Sequence, residues 1–107
     1  MTAPVLIVPF MKVSGMALFP FIFLKDKAML ADRTIVDHER IHLRQQAELL
    51  VLPFYILYLF NYLINRLRGQ GHDRAYRNIV FEREAYENEH NPMYLSSRNW
   101  FSWRCYL

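Results

Sequence analysis

The pattern that most constrains this chain is HExxH, which His38, Glu39 and His42 form together. On a helix, side chains four residues apart lie on one face, so both imidazoles can reach the same metal ion. Glu39 follows the first histidine, where its carboxylate can accept a proton from water at such an ion. The motif predicts a site for metal-assisted hydrolysis, with His38 and His42 as metal ligands and Glu39 as the general base.

A helical pattern surrounds the motif. Asp32 or Thr34 can cap the start of the helix, because their side-chain oxygens accept hydrogen bonds from the free N–H groups of a first turn. Pro53 ends or kinks the helix, because its ring clashes with the turn before it. The residues expected on the inward face are Ile35, His38, Ile41 or His42, Gln45 and Leu49. The motif is therefore predicted to lie on a helix that faces the core.

The segment before this helix has the pattern of strands. Residues 5–24 are short runs of Val, Ile, Leu and Phe, which Pro9, Ser14-Gly15 and Pro20 interrupt. Such runs favour strands, and Ser14-Gly15 is the predicted turn of a hairpin. Proline cannot donate to a strand ladder, which places Pro9 and Pro20 at edges or bulges. We expect a small antiparallel hairpin or sheet at the N-terminus.

Two further helices are predicted after the first. The second runs from about Pro53 to Arg68, where Gly69-Gln70-Gly71 ends it, and its apolar sequence indicates a buried core helix. The third covers roughly Asp73 to Glu89 and is rich in glutamate. The sequence thus predicts an α+β fold in which the small sheet packs on three helices: an active-site helix, a buried helix and a glutamate helix.

The chain of 107 residues is predicted to form one domain, 1–107. Its C-terminal tail, residues 93–107, carries the large aromatic side chains of Tyr94, Trp100, Phe101, Trp103 and Tyr106. A segment this apolar is expected to pack on the body of the domain. It could cover the metal cleft and keep an enzyme latent, or it could complete the core away from the metal.

Charge and cysteine content limit the partners and the compartment. Lys and Arg exceed Asp and Glu by 13 to 10. The loose basic cluster of Arg66, Arg68, Arg74 and Arg77 is typical of a solvated helix end, so no nucleic-acid partner is expected. The single cysteine, Cys105, excludes an intramolecular disulfide, and the N-terminus lacks the order of a signal peptide. We therefore expect a cytoplasmic protein.

One segment allows a membrane interpretation. Leu49 to Ile64 is apolar apart from Asn61, but it contains Pro53 and is shorter than the roughly 20 residues that span a bilayer. We favour a buried helix for this segment. Membrane association at the periphery, through the same apolar side chains, is the alternative.

A hydrolytic zinc site usually has three protein ligands and leaves a fourth position for water. The candidates for the third ligand are Glu82, Glu84, Glu87, Glu89, His72 and His90. Glu82 and Glu89 share one helical stripe, whereas Glu84 and Glu87 share another. His90 continues the Glu82 stripe, where it could instead donate a hydrogen bond to a developing oxyanion. Spacing alone leaves these alternatives open.

The order of motifs resembles a known family. HExxH followed by a separate glutamate-bearing helix resembles the gluzincin metallopeptidases. The one-domain length and strand-first order are similar to the minigluzincins, which resemble the catalytic domains of the CAAX prenyl protease and the beta-lactam-sensor metallopeptidase. Ala85 stands three residues after Glu82, as in those relatives, and this maps Glu82 to their metal-binding glutamate. Tyr86 stands where relatives commonly have Asp or Asn. The resemblance covers roughly residues 5–90.

The resemblance implies a metal, a substrate and a mode of binding. Zn²⁺ would be held by His38, His42 and Glu82, with Glu39 as the base that hydrolyses a peptide or protein substrate. The strand from Leu18 to Leu24 would form the upper rim of the cleft, where extended peptides pair in antiparallel fashion. The alternative function is that of a zinc-binding scaffold or interaction module without catalytic activity.

Overall fold

Three short strands form a mixed sheet with the order β1-β3-β2 in the computed structural model, which describes residues 4–107. The central strand, β3 (Phe21–Leu24), is parallel to β1 (Val5–Ile7) and antiparallel to β2 (Gly15–Leu18). β3 is the most buried of the three strands. β2 is consequently an edge strand, and its free side faces the helices that carry the motif.

The hairpin turns at Phe19-Pro20, since Leu18 is paired with Phe21. The predicted turn at Ser14-Gly15 is wrong, because Gly15 is the first residue of β2. Pro20 has no N–H to donate, and it lies in the turn, where the strand ladder requires none. The predicted α+β class is confirmed. The sheet, however, is mixed and not purely antiparallel, because β1 joins the other side of β3 in parallel.

The HExxH motif lies on α1 (Arg33–Leu49), as the helical pattern predicts. Of the two predicted caps, Asp32 is the one used. Its carboxylate accepts hydrogen bonds from the N–H groups of Thr34 at 3.1 Å and Ile35 at 3.4 Å. These bonds satisfy two of the donors that a helix start leaves free, and they fix where the helical phase of the motif begins.

α2 (Val51–Leu67) follows α1 after a single residue, Leu50, whose φ of 66° breaks the helix. The predicted break at Pro53 is wrong by a few residues. Pro53 lies in the first turn of α2, where N–H groups have no intrahelical partner and proline is tolerated. Among residues 4–107, no single helix is long and apolar enough to cross a bilayer. α1 and α2 meet that requirement only as a pair, which is bent by 111°.

The prediction that α2 is a buried helix is wrong. Only Phe54 and Asn65 are fully buried, and the aliphatic side chains of the helix are exposed. The inward face is occupied by Phe54 and by the polar or aromatic side chains of Tyr55, Tyr58, Asn61, Tyr62 and Asn65. This polarity has a physical cause, because the inward face must supply hydrogen bonds to neighbouring elements. No described element covers the outward face.

The predicted glutamate helix, 73–89, is two helices, α3 (His72–Arg77) and α4 (Val80–Asn88). The side chains of α2 stabilise the break between them. Asn61 accepts a hydrogen bond from the first N–H of α4 at 2.7 Å, and Asn65 donates to a carbonyl of α3 at 3.0 Å. The fold therefore has more helices than the three expected, and α4 is the one that carries the glutamates.

The C-terminal tail packs on α1 and α4 and contains α5 (Tyr94–Ser97) and a 3₁₀ turn (Ser102–Tyr106). Its anchor is Arg98, whose side chain is fully buried. The guanidinium donates to Glu48 and to Glu84 at 2.6 Å each. Two carboxylates on two helices are thus bound by one cation from the tail.

Candidate metal site

The fold brings together His38 and His42 of α1 and Glu82 of α4, all of them buried. Oε1 of Glu82 lies 3.0 Å from Nε2 of His38 and 3.1 Å from Nε2 of His42. The two imidazole nitrogens lie 3.2 Å from each other. Three ligand atoms from two helices therefore form a nearly equilateral triangle.

This triangle has the dimensions of a metal site. Nitrogen and oxygen ligands of a tetrahedral zinc ion lie at bond lengths of about 2.0–2.2 Å, which places them roughly 3.3 Å from one another. The observed separations of 3.0–3.2 Å are close to that value. His38, His42 and Glu82 could therefore hold a metal ion.

Gln45 fixes which nitrogen of His42 points to the site. Its amide nitrogen donates to the carbonyl of Phe81 at 3.0 Å and to Glu84 at 2.9 Å, so its oxygen must face the ring of His42. Nδ1 of His42, 2.8 Å from that oxygen, is then the protonated nitrogen. Nε2 consequently presents its lone pair to the carboxylate of Glu82. Two acceptors this close require a cation between them, either a metal ion or a proton.

The charges of the cluster agree with that requirement. Before a metal ion binds, burial disfavours the charged form of His42, but the carboxylate of Glu82 outweighs it and raises the pKa of His42 to about 9. Burial likewise disfavours the carboxylate, yet the two histidines hold the pKa of Glu82 well below its usual range. A proton thus takes the position between ring and carboxylate, and metal binding must release it.

Glu39 lies beside the cluster of His38, His42 and Glu82 but takes no part in the hydrogen bonds among them. It is only 7% exposed, and no hydrogen bond found among residues 4–107 uses its carboxylate. Burial raises the pKa of Glu39 above its ordinary value. Gly15 of β2 lies against it, because a Cβ on that glycine would stand 3.2 Å from Oε2 of Glu39. Because residue 15 has no side chain, the edge strand lies this close without displacing the carboxylate.

Two cavities of about 220 and 450 Å³ meet at this carboxylate, and Val13, Gly15, Glu39 and Tyr76 line both. The smaller is mostly apolar, and its other lining residues are Met16, Ala17, His42, Gln46, Phe54, Tyr55, Tyr58 and Glu82. The larger is more polar, and its other lining residues are Lys12, Ser14, Ile35, His38, His72, Asp73, Tyr86 and Glu89. The tail contributes no lining residue to either, so it does not cover the cluster.

The rim of the smaller cavity is β2, and not the predicted Leu18–Leu24 strand, which contains the hairpin turn. The far end of this edge is already bound by α1 and α2. Gln46 donates to the carbonyl of Ala17 at 3.0 Å and accepts from the N–H of Phe19 at 2.7 Å, and Tyr55 also donates to Ala17. Only the beginning of β2, near Glu39, is therefore open to another extended chain.

The other carboxylates of the glutamate helix have different roles. Glu84 binds Arg98, Gln45 and Tyr94, and these bonds outweigh burial and lower its pKa. Glu87 is exposed. Oε1 of Glu89 lies 3.6 Å from Nδ1 of His38, on the side of that ring away from Glu82. Of the predicted carboxylate candidates, Glu82 alone joins the two histidines.

The two remaining histidines lie outside the cluster. Nδ1 of His72 is 2.8 Å from the hydroxyl of Tyr62, and its side chain borders the larger cavity. His90 is exposed and its ring lies 3.5 Å from the hydroxyl of Thr34. It lines neither cavity, so the expectation that it could donate to an oxyanion is not supported by its position.

Sequence reasoning did not find two residues that support the site. The hydroxyl of Tyr58 donates to Oε2 of Glu82 at 2.5 Å, leaving Oε1 to face the histidines. Tyr76 borders both cavities beside Glu39, and burial raises its pKa, which keeps its hydroxyl protonated. In the sequence, Tyr58 belongs to a row of aromatic residues typical of a core, and nothing distinguishes it from its neighbours.

Comparison of the chain with protein-family models, curated proteins and solved structures finds no match. The likeness to gluzincins therefore remains an expectation from the sequence motif.

Proposed function

We propose that this protein is a zinc-dependent peptide hydrolase of the gluzincin type. His38, His42 and Glu82 hold the metal, and Glu39 is the general base. The observation that carries the proposal is the carboxylate of Glu39, which is buried, free of the triangle's hydrogen bonds and directed into the cavities that border the cluster. A carboxylate that borders two cavities and has no hydrogen-bond partner among the described residues is available to accept a proton from water.

A zinc ion in this site supplies Lewis acidity, which polarises a carbonyl group and makes a water molecule more acidic. The residues of the chain supply the rest. Glu39 accepts the proton of the attacking water and returns it to the leaving amine, and its raised pKa makes it a stronger base. The hydroxyl of Tyr76 stays protonated and borders both cavities beside Glu39, and it is the group that we expect to donate to the developing oxyanion.

The edge of β2 supports an extended peptide as the substrate. The carbonyl of Ser14 accepts a hydrogen bond from the N–H of Lys25, on the side of β2 that faces β3. Backbone groups alternate along a strand, so those of the next residue, Gly15, point to the free side of β2. A peptide that pairs with Gly15 passes directly beside Glu39. Because Ala17 is bound by Gln46 and Tyr55, the pairing is short, and the cavities on either side of Glu39 must provide further contacts.

Glu39→Gln tests the proposal. The amide has nearly the shape of the carboxylate but cannot act as a base, so zinc binding is kept and hydrolysis of a quenched peptide library falls by several orders of magnitude. Glu87→Gln, on the exposed side of α4, is the matched control and retains wild-type activity. Hydrolysis at the wild-type rate by zinc-loaded Glu39→Gln would rule out the mechanism.

The exposed apolar face of α2 favours a second candidate, a metal-stabilised interaction module without catalytic activity. The same experiment separates the two functions. If wild-type protein and Glu39→Gln both bind zinc and neither cleaves any peptide of the library, the module is the better account.

A further inference from the structure

α2 has the reverse of the usual polarity of a surface helix, with its polar side chains inward and its aliphatic side chains outward. Tyr58, Asn61 and Asn65 point to the body, where they hydrogen-bond to α3 and α4. We name the outward surface the α2 face. Its residues, between 43% and 87% exposed, are Leu52, Ile56, Leu57, Leu59, Phe60, Leu63, Ile64 and Leu67.

The α2 face is continuous and contains no polar side chain. At about 100° per residue, its members cover an arc of about 160°, and the helix is about 25 Å long. The same helical spacing places Arg66 beside one margin of the arc and Arg68 beside the other, both exposed. The tail extends the surface, because Leu107 and Trp103 line a groove of about 260 Å³ along Leu57, Phe60 and Ile64.

The charged side chains that α2 and the tail contribute beside the α2 face are all basic. The chain has no Asp or Glu between Glu48 and Asp73 and none after Glu89. Neither α2 nor the tail therefore contributes an acidic side chain, whereas Arg66 and Arg68 contribute two cations at the margins of the face. A partner that matches this surface is apolar in its interior and negatively charged where the arginines reach it.

We propose that the α2 face docks on an anionic lipid bilayer, with the helix lying in the plane of the interface. Its aliphatic side chains enter the boundary of the acyl chains, and Arg66 and Arg68 contact the headgroup phosphates. The helix does not cross the membrane, because its inward side chains remain hydrogen-bonded to α3 and α4. The proposal is independent of catalysis and does not require a metal ion.

A second copy of the chain fits this surface less well. In a symmetric dimer the same patch faces itself, so the arginines of each copy find no acidic side chain on the α2 face of the other. A specific protein partner also fits less well, because stable protein interfaces have about one hydrogen bond per 100–200 Å². The outward residues of the α2 face offer no side-chain donor or acceptor for such bonds. A bilayer requires none.

The test is flotation of the purified full chain with vesicles of phosphatidylcholine alone or of equal parts phosphatidylcholine and phosphatidylglycerol. The chain floats with the anionic vesicles, at least about tenfold more than with the neutral ones, and high salt releases it. Leu59→Gln with Phe60→Gln, and separately Arg66→Gln with Arg68→Gln, each reduce partition by about tenfold or more. All four side chains are exposed, so the fold is retained, as circular dichroism verifies.

Two matched controls make the test specific. The double variant Lys25→Gln with Lys27→Gln removes two positive charges, as many as the arginine variant does, but away from α2. The double variant Phe10→Gln with Leu30→Gln removes two exposed apolar side chains away from α2. Both controls bind the vesicles as wild type does. Flotation with neither vesicle, or flotation that the α2 variants leave unchanged, overturns the proposal. A third result would also overturn it: the chain dimerises without lipid, the double variant Leu59→Gln with Phe60→Gln abolishes the dimer, and the chain binds no vesicle. Glu39→Gln floats like wild type, which separates this proposal from the proposed catalysis.

Discussion

Gln45 orients the ring of His42 toward the cluster. Its amide is bound on one side by Phe81 and Glu84 and on the other by Nδ1 of His42, which leaves Nε2 for the cluster. Partners of this kind set the tautomer and orientation of a ligating histidine. In the sequence Gln45 is recognisable only as a polar residue on the inward face of the first helix.

Gln45→Leu keeps the volume of the side chain and removes its hydrogen bonds. We expect the zinc affinity to fall by about tenfold to a hundredfold, because the ring of His42 is no longer held. Gln46→Leu is the control, since the amide of Gln46 binds β2 and does not contact a histidine. Competition with a chromophoric chelator measures both affinities. Equal affinity in Gln45→Leu and wild type would show that His42 is oriented by packing alone.

Gly15 allows β2 to lie close to Glu39, the proposed general base. In Gly15→Ala the new methyl group would lie 3.2 Å from Oε2 of Glu39, so either the strand or the carboxylate must shift. We expect peptide hydrolysis to fall by about tenfold or more with zinc content unchanged, because displacement of a catalytic group is costly. Steady-state kinetics at full metal occupancy measure the loss. Unchanged kinetics would mean that β2 yields without moving Glu39.

Among single residues, the proposed metal ligands are easier to predict from the sequence than the residues that hold them in position. Residues four apart on a helix lie on one face, so the HExxH spacing alone is enough to propose His38, Glu39 and His42. Glu82 required the family resemblance, because helical spacing alone allowed Glu84 as well. Tyr58 could not be identified, since its bond to Glu82 depends on how α2 crosses α4.

At the scale of elements, the tail is held by charge as well as by aromatic packing. Arg98 is fully buried between Glu48 of α1 and Glu84 of α4, and Trp103 contacts Phe81 with ring centroids 5.4 Å apart. The aromatic composition predicted that the tail packs on the body. It did not reveal that a buried ion pair would fix the tail away from the metal cavities.

Arg98→Met removes the cation and leaves two carboxylates buried. The loss of one partner from a buried ion pair lowers the free energy of unfolding by roughly 3 to 5 kcal/mol. Chemical denaturation measures this change, with Arg104→Met, an exposed arginine of the same tail, as the control.

Truncation after Pro92 likewise unfolds the chain and yields no gain of activity. An active, folded truncated chain would contradict this role and support latency.

The helix boundaries show why elements are predicted more easily than their ends. The start of α1 follows from Asp32, which is a local cap and was one of the two predicted from the sequence. The break between α3 and α4 depends on Asn61 and Asn65 of another helix, which no local pattern contains. The hairpin turn was misplaced for a similar reason, because Ser14-Gly15 and Phe19-Pro20 are both good turn sequences and only the sheet pairing distinguishes them.

At the scale of the whole molecule, the elements that residues 4–107 form leave the outward face of α2 exposed. The apolar sequence of that helix predicted burial, but its tyrosines and asparagines occupy the inward face because the neighbouring backbone and Glu82 require hydrogen bonds. The membrane alternative, which was not favoured from the sequence, is the one that the exposed face leads us to propose.

The central claim is that His38, His42 and Glu82 hold one zinc ion, and its most direct test is the metal content of the chain purified without added zinc. We predict about one zinc per chain for the wild type, most of it lost in Glu82→Gln with the fold retained. Glu87→Gln, an exposed glutamate of the same helix, keeps its metal. Full zinc content in Glu82→Gln, or a site emptied by Glu84→Gln and not by Glu82→Gln, would contradict the claim.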